Sequence, residues 1–255
     1  MTHEQEATLE RIPGTGTQSY KARVDYDLTT SNCASLASLL ENASAYHGCD
    51  AWVECAQTPR DLMLWACDML SHSPCARAML VHAVQDGWSV GLGQLADEGY
   101  TLDTDDGIIY LDDHGYDYGV LGRSTFLRHM LLTSLIRALR DQWHDSFDEE
   151  INAYTPESIL MRERLITAEI ETFTVQVAWE LRSAGHSQAW RYMIGSQDGD
   201  LALTLARVLE HAPSSFLDGS ALVHVIRQWF KTPERIAAAD HRGLEFMDDV
   251  LRRRD

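Results

Sequence analysis

Two long amphipathic stretches dominate the sequence, and any fold must bury one face of each. The first runs from about Ser124 to His144, and the second runs from about Thr155 to Ala184, with Gly185 as its stop. Apolar residues recur in both at spacings of three and four, which is typical of a helix that buries one side. The predicted buried positions are Leu127, Met130, Leu131, Leu135, Leu139 and Trp143 in the first helix and Ile166, Ile170, Phe173, Val177 and Leu181 in the second.

Shorter helices are predicted on both sides of this pair. Thr58 and Ser73 each precede a proline, which is the pattern of an N-cap followed by proline at the first helical position. The predicted helices are Asn32 to Tyr46, Thr58 to Leu70, Ser73 to Asp86, Asp200 to His211, Asp218 to Phe230 and Pro233 to Arg252.

Between residues 88 and 111 the pattern changes to short β-favouring runs separated by glycine-containing turns. The runs are Trp88–Leu92, Tyr100–Leu102 and Ile108–Leu111. They predict a small three-stranded sheet with at least one antiparallel pair, packed on helices. The expected fold is therefore α+β and predominantly helical. Residues 1–30 are predicted to form an N-terminal arm, and 31–255 a single domain divided into 31–150 and a helical part, 151–255.

Composition excludes two classes of partner. The chain carries 39 acidic and 21 basic residues, a formal charge of -18. Such a charge repels phosphate backbones and anionic membranes, so no nucleic-acid or membrane partner is expected. No apolar run reaches the roughly 20 residues that a transmembrane helix needs. The polar, acidic start lacks the features of a targeting signal, so the expected location is the cytoplasm.

The five cysteines are expected to be reduced thiols. They are Cys33, Cys49, Cys55, Cys67 and Cys75. An odd number without a secretory signal argues against a disulfide framework, and the absence of a Cys-x-x-Cys pair argues against a zinc ribbon.

One constellation carries more specific information. The strand Gly107–Asp112 leads into the helix segment Leu135-Ile136-Arg137-Ala138-Leu139-Arg140-Asp141-Gln142-Trp143, and a second helix follows with Thr167-Ala168-Glu169-Ile170-Glu171. This order resembles that of a bacterial family of uncharacterised proteins described as zincin-like metallopeptidases. In that family the first helix reads like Leu-Val-His-Glu-Leu-Arg-His-Ala-Trp, so Leu135, Leu139, Arg140 and Trp143 match. The resemblance extends from about Thr58 to Ala184, more weakly to Phe230, and implies a zincin-like fold.

The residues that would carry the chemistry of that family are replaced. Arg137 and Asp141 stand at the two histidine positions, and Ala138 stands at the position of the catalytic glutamate. A guanidinium stays protonated and cannot ligate a cation, and alanine cannot take a proton from a metal-bound water. No zinc, other cofactor or catalytic residue is therefore expected. The resulting hypothesis is a protein that has lost catalysis and is retained for binding.

Two alternatives remain at this point. Asp141, His144 and Glu169 could form a displaced metal site, because the first two share a helix face, and the protein would then be an active zinc metallopeptidase. Otherwise His144 simply ends an acidic helix, and the chain is a helical interaction protein without zincin ancestry.

Further expectations concern the neighbours of the altered motif. Glu169 borders the apolar stripe of its helix, whereas Glu171 points away from it, so Glu169 is predicted to face inward. The Arg137 guanidinium is expected to replace the charge of the lost metal and to pair with Asp141 and Glu169. A peptide or protein partner is predicted to bind along Ile108–Leu111, taken as an edge strand.

Overall fold

A computed structural model of the protein describes residues 32–43, 50–95, 99–145 and 155–252. The predicted arm, Cys49 and the predicted end of the first helix at Tyr46 lie outside these residues. Within them the chain is mostly helical with one small sheet, so the α+β prediction is confirmed.

The sheet has four strands, not the predicted three. They are β1 (Cys33–Ser35), β2 (Ser89–Gly93), β3 (Tyr100–Asp103) and β4 (Ile108–Asp112), in the order β1-β2-β4-β3. Strands β2 and β4 are parallel, and the β1/β2 and β3/β4 pairs are antiparallel. The predicted antiparallel pair is therefore confirmed.

Strand β1 replaces the first turn of the predicted first helix. Its residues pair with β2, with Cys33 opposite Gly91. A β-carbon at Gly91 would lie 2.6 Å from the Cys33 sulfur, so a larger residue there would force the Cys33 side chain to move. The local helical pattern is overridden by a contact between residues far apart in the sequence.

The central position of β4 corrects the predicted peptide site. Ile108–Asp112 pairs with β2 on one side and β3 on the other. Its backbone groups are therefore already used, and Ile108–Leu111 is not an edge onto which a peptide could add. The expectation of a partner stays a prediction, without this strand as its site.

The helices follow the predicted order with small shifts at their ends. Thr58 accepts a hydrogen bond from Asp61 N in a full capping box, and the side chains of Ser73 and Thr155 cap their helices in a similar way. The helices Asp50–Val53, Tyr118–Arg123 and Ser187–Gly195 and a short 3₁₀ helix (Pro213–Phe216) were not predicted. The helices are α1 (Leu36–Ala43), α2 (Asp50–Val53), α3 (Pro59–Ser71), α4 (Pro74–Gln85), α5 (Tyr118–Arg123), α6 (Thr125–Asp145), α7 (Pro156–Ser183), α8 (Ser187–Gly195), α9 (Gly199–His211), α10 (Ser220–Trp229) and α11 (Pro233–Arg252). None of those in the described residues is long and apolar enough to cross a membrane.

Helix α7 contributes to two apolar clusters. On one face Phe173, Val177 and Leu181 join a cluster built from α1, α3, α4, the sheet and α6. On another face Ala168, Val175 and Ala178 join a second cluster with α8–α11, which contains Trp190, Leu205 and Trp229. The long helix thus lies between both cores and places its polar residues along their boundary.

Candidate functional site

Arg137 of α6 lies at this boundary and is paired with two acidic side chains. Its Nε donates to both Glu171 oxygens, at 3.0 and 3.1 Å, and its Nη2 donates to Glu171 Oε2 at 2.9 Å. The same Nη2 donates to Asp198 Oδ2 at 2.7 Å. Arg137 is 19% exposed and Asp198 is 3% exposed. Burial alone lowers the pKa of Arg137, but Glu171 and Asp198 outweigh it and raise that pKa.

This geometry corrects the predicted partners of Arg137. Its carboxylates are Glu171 and Asp198, not Asp141 and Glu169. Glu171 does not point into solvent, because α7 has a second buried face. Glu171 comes three residues after Ala168, four before Val175 and seven before Ala178, which belong to the second core. This second stripe was readable in the sequence.

Asp198 extends the network toward the C-terminal helices. It precedes α9, and its Oδ1 lies 3.3 Å from Arg235 Nη2 of α11, while the same arginine donates to Asp200 at 2.7 Å. Burial raises the pKa of Asp198 to about 7, and the nearby Glu171 charge acts in the same direction against Arg137 and Arg235. Nothing local in their segments marks Asp198, Asp200 or Arg235, so this part of the network was not predictable from the sequence.

Glu169 belongs to a second, separate ion pair. Arg140 Nε lies 2.9 Å from both Glu169 oxygens, and Arg140 Nη2 also donates to Oε1. His144 Nε2 lies 2.8 Å from Glu169 Oε2. The Arg140 guanidinium carbon is 4.0 Å from the ring centre of Trp143 and 4.9 Å from that of Phe173. Glu169 is therefore held by a stacked guanidinium and an imidazole.

The other two positions of the altered motif have structural surroundings. Asp141 Oδ2 accepts a hydrogen bond from the Tyr100 hydroxyl of β3 at 2.9 Å. Burial, followed by the Asp141 charge, raises the pKa of Tyr100 well above its ordinary value, so the phenol remains a donor at neutral pH. Ala138 is 0% exposed and belongs to the first core.

These residues do not fit a catalytic metal. Glu169, the carboxylate of the proposed displaced site, has both oxygens bonded to Arg140, and Asp141 is bonded to Tyr100. In residues 32–43, 50–95, 99–145 and 155–252, no three or more His, Cys, Asp or Glu side chains form a group that could hold a metal ion. The structure brings His144 and Glu169 together but does not assemble a ligand set around them.

Comparison with known families gives one match. The model of a family described as "Putative metallopeptidase family (DUF6782)" matches residues 132–255. This part of the chain is similar to that family. The match confirms the family suggested by the frame residues of α6 and covers α7 to α11. No curated protein and no solved structure matches the chain.

The family residues that this chain retains have roles in packing. Leu135 and Leu139 are buried in the first core, and Arg140 stacks on Trp143. These retained residues therefore hold α6 in position and supply no reactive group.

Proposed function

We propose that this protein is a member of the metallopeptidase family that has lost zinc and peptidase catalysis and acts as a binding protein. The proposal includes a zincin-like arrangement of α6, α7 and the sheet, and residence in the cytoplasm. One observation carries it: at the first motif position, the Nη2 of Arg137 lies between Glu171 and Asp198. A permanently charged donor there satisfies the carboxylates and excludes a cation.

The position of the missing catalytic glutamate supports the same proposal. A general base must reach a water or substrate at hydrogen-bond distance. Position 138 is fully buried among apolar side chains, and alanine there has no group that can accept a proton. Alanine at position 138 therefore leaves no general base there, and apolar side chains fill the space around it.

The test is the metal content and the activity of the full-length protein. After incubation with zinc and dialysis, elemental analysis is expected to find far less than one zinc per chain. Hydrolysis of denatured casein and of quenched peptide substrates is expected to equal the rate without enzyme, with or without chelator. Stoichiometric zinc or chelator-sensitive hydrolysis would overturn the proposal.

The second candidate function is an active metallopeptidase with relocated ligands. The observation that favours it is the 2.8 Å contact between His144 and Glu169. It predicts about one zinc per chain that is lost in His144→Ala, as expected for removal of a direct ligand. The matched control is His241→Ala, which removes a highly exposed histidine that also contacts a glutamate. The interaction-protein alternative remains a prediction.

A further inference from the structure

Around the start of α9, the described residues form a cluster of five charged side chains in which acids outnumber bases. Arg137 and Arg235 face the carboxylates of Glu171, Asp198 and Asp200. A guanidinium keeps its proton, so this cluster carries one excess negative charge when all three carboxylates are ionised. An excess charge held away from water costs free energy, and uptake of a proton removes it.

Asp198 is the carboxylate that is best placed to take up this proton. It is more buried than Glu171 and Asp200. Its Oδ2 lies 2.7 Å from Arg137 Nη2, and Glu171 Oε2 lies 2.9 Å from the same nitrogen, so the two oxygens are neighbours. Burial, followed by the Glu171 charge, raises the pKa of Asp198 to about 7. A protonated Asp198 can also donate a hydrogen bond to Glu171.

Several of the groups that face Asp198 keep one charge state around neutral pH. The facing groups are Arg137 of α6, Glu171 of α7, Tyr192 of α8, Asp200 of α9 and Arg235 of α11. Burial raises the pKa of Tyr192, so its phenol stays protonated. Burial alone raises the pKa of Asp200, but its hydrogen bonds with Arg235 and Gln228 outweigh burial and lower it. The excess charge is therefore removed at Asp198, next to Glu171.

We propose that Asp198 is a proton-sensitive contact, which binds a proton in mildly acidic solution and whose loss of that proton weakens the attachment of the segment before α9 to α6 and α7. The inference goes beyond the proposed function, because it concerns neither zinc nor peptide hydrolysis. It assigns a regulatory role to the network that joins the two cores.

The two sides of this segment respond differently to the proton. On the α11 side, Arg235 Nη2 donates to Gln197 O at 2.9 Å and to Asp200 Oδ1 at 2.7 Å, and both bonds are independent of the state of Asp198. On the other side, the Asp198 carboxylate reaches Arg137 beside Glu171. Ionised Asp198 and Glu171 repel each other there, so the loss of the proton acts on the contact with α6 and α7.

The direction of the pH effect follows from the raised pKa. The pKa of Asp198 in the folded protein is about 7, above its unfolded value of 3.8. Its contribution to stability is therefore fully present below pH 3.8 and is lost as pH rises through about 7. This window is separate from that of a carboxylate whose pKa is lowered by folding.

The first experiment compares melting temperatures of the full chain between pH 5.5 and pH 8. Asp198→Asn imitates the protonated side chain, because an amide is uncharged and can donate to Glu171. The melting temperature of Asp198→Asn minus that of the wild type should rise by several degrees across this range. The matched control is Asp240→Asn. Asp240 is also paired with an arginine, Arg164, whose hydrogen bonds lower its pKa.

The difference between Asp240→Asn and the wild type should stay constant from pH 5.5 to pH 8, because Asp240 is ionised throughout. A constant difference for Asp198→Asn as well would overturn the proposal. Comparison with a variant removes the contribution of histidines, which titrate in the same range in every protein of the set.

Hydrogen exchange tests where the attachment weakens. The amides of Leu201 and Ala202 donate to the Asp198 carbonyl at 3.0 and 3.2 Å and report on this segment. After correction for the intrinsic pH dependence of exchange, they should exchange several-fold faster at pH 8 than at pH 6, relative to amides in the middle of α3. In Asp198→Asn this ratio should not change with pH. An unchanged ratio in the wild type would overturn the proposed weakening.

A titration of the wild type keeps the test valid even if Asp198→Asn does not fold. Carbon-13 NMR of the full-length protein should show one aspartate carboxyl group with a midpoint near pH 7, as for Asp198. Midpoints below about pH 5 for all aspartates would overturn the proposal, because ordinary aspartates titrate near pH 4.

Discussion

A single guanidinium joins three elements of this protein. Arg137 of α6 contacts Glu171 of α7 and Asp198 before α9. A buried ion pair contributes little net stability compared with an apolar pair, but removing one partner leaves an uncompensated charge. Loss of Arg137 would therefore leave the buried carboxylates of Glu171 and Asp198 without the guanidinium between them.

Arg137→Met should lower the free energy of unfolding by about 3 kcal/mol, because it leaves Glu171 and Asp198 buried and facing each other. Urea denaturation measures this change. Arg191→Met, at an exposed position of α8, is the control and should change stability by less than about 0.5 kcal/mol.

Adding Glu171→Gln to Arg137→Met should restore part of the loss, since it removes one stranded charge. Glu169→Gln should not, because Glu169 belongs to the Arg140 pair. Rescue by Glu169→Gln but not by Glu171→Gln would contradict the assignment of Glu171 as the partner of Arg137.

Glu169 should make stability depend on pH in the acid range. Burial alone raises its pKa, but hydrogen bonds from His144 and Arg140 outweigh burial and hold that pKa below 4.5. Its contribution is therefore present above the unfolded value of 4.5 and is lost as pH falls through the lower folded pKa. Unfolding free energies of wild type and Glu169→Gln should converge below pH 4.5; parallel curves would contradict this.

At the scale of elements, α4 depends on a side chain from α7. Ser73 Oγ accepts from Ala76 N at 3.1 Å and donates to Glu180 Oε2 at 2.6 Å, and Cys75 N donates to the same Glu180 oxygen at 3.1 Å. A carboxylate at a helix N-terminus satisfies free N–H groups and complements the helix dipole. The cap thus fixes α4 to α7 as well as starting the helix.

Ser73→Ala and Glu180→Gln should each cost about 1 kcal/mol, because each removes part of the α4 cap. In a double-mutant cycle by urea denaturation, the two losses should not add, since both belong to one hydrogen-bond network. The loss of stability from Thr155→Ala, at the exposed cap of α7, should add to the loss from either of these variants. Additive losses for Ser73 and Glu180 would show that the cap is not shared.

The caps at Thr58, Ser73 and Thr155 were predictable because a helix start is encoded within four residues. Strand β1 and the central position of β4 were not, because pairing between distant segments sets both. In the site, Arg137 was identified from its motif position. The predicted partners Asp141 and Glu169 were wrong, because α7 has a second apolar stripe that places Glu171 beside Arg137.

At the scale of the whole molecule, no cysteine of the described residues forms a disulfide. Cys33, Cys55, Cys67 and Cys75 are free thiols, while Cys49 lies outside the described residues. Burial, with a smaller effect of Asp68, raises the pKa of Cys67 to about 12. Burial and the neighbouring Glu180 raise the pKa of Cys75 to about 12. Both thiols should be poor nucleophiles at neutral pH.

Thiol titration of the denatured, unreduced protein should therefore find all five thiols. In the native protein at pH 8, exposed Cys55 should react quickly, half-buried Cys75 slowly, and buried Cys67 only on unfolding. Mass mapping of a brief labelling reaction identifies the sites. Fewer than five thiols after denaturation would indicate a disulfide, and rapid labelling of Cys67 would contradict its burial.

The position of α7 between two cores also determines when the first core can form during synthesis. Chains fold from the N-terminal end as they leave the ribosome. The first core contains Phe173, Val177 and Leu181, so it cannot close when α6 has emerged and α7 has not. During that interval the apolar faces of α3 and α6 lack part of their covering. We therefore expect the nascent chain to expose apolar surface to chaperones until the last turns of α7 leave the tunnel.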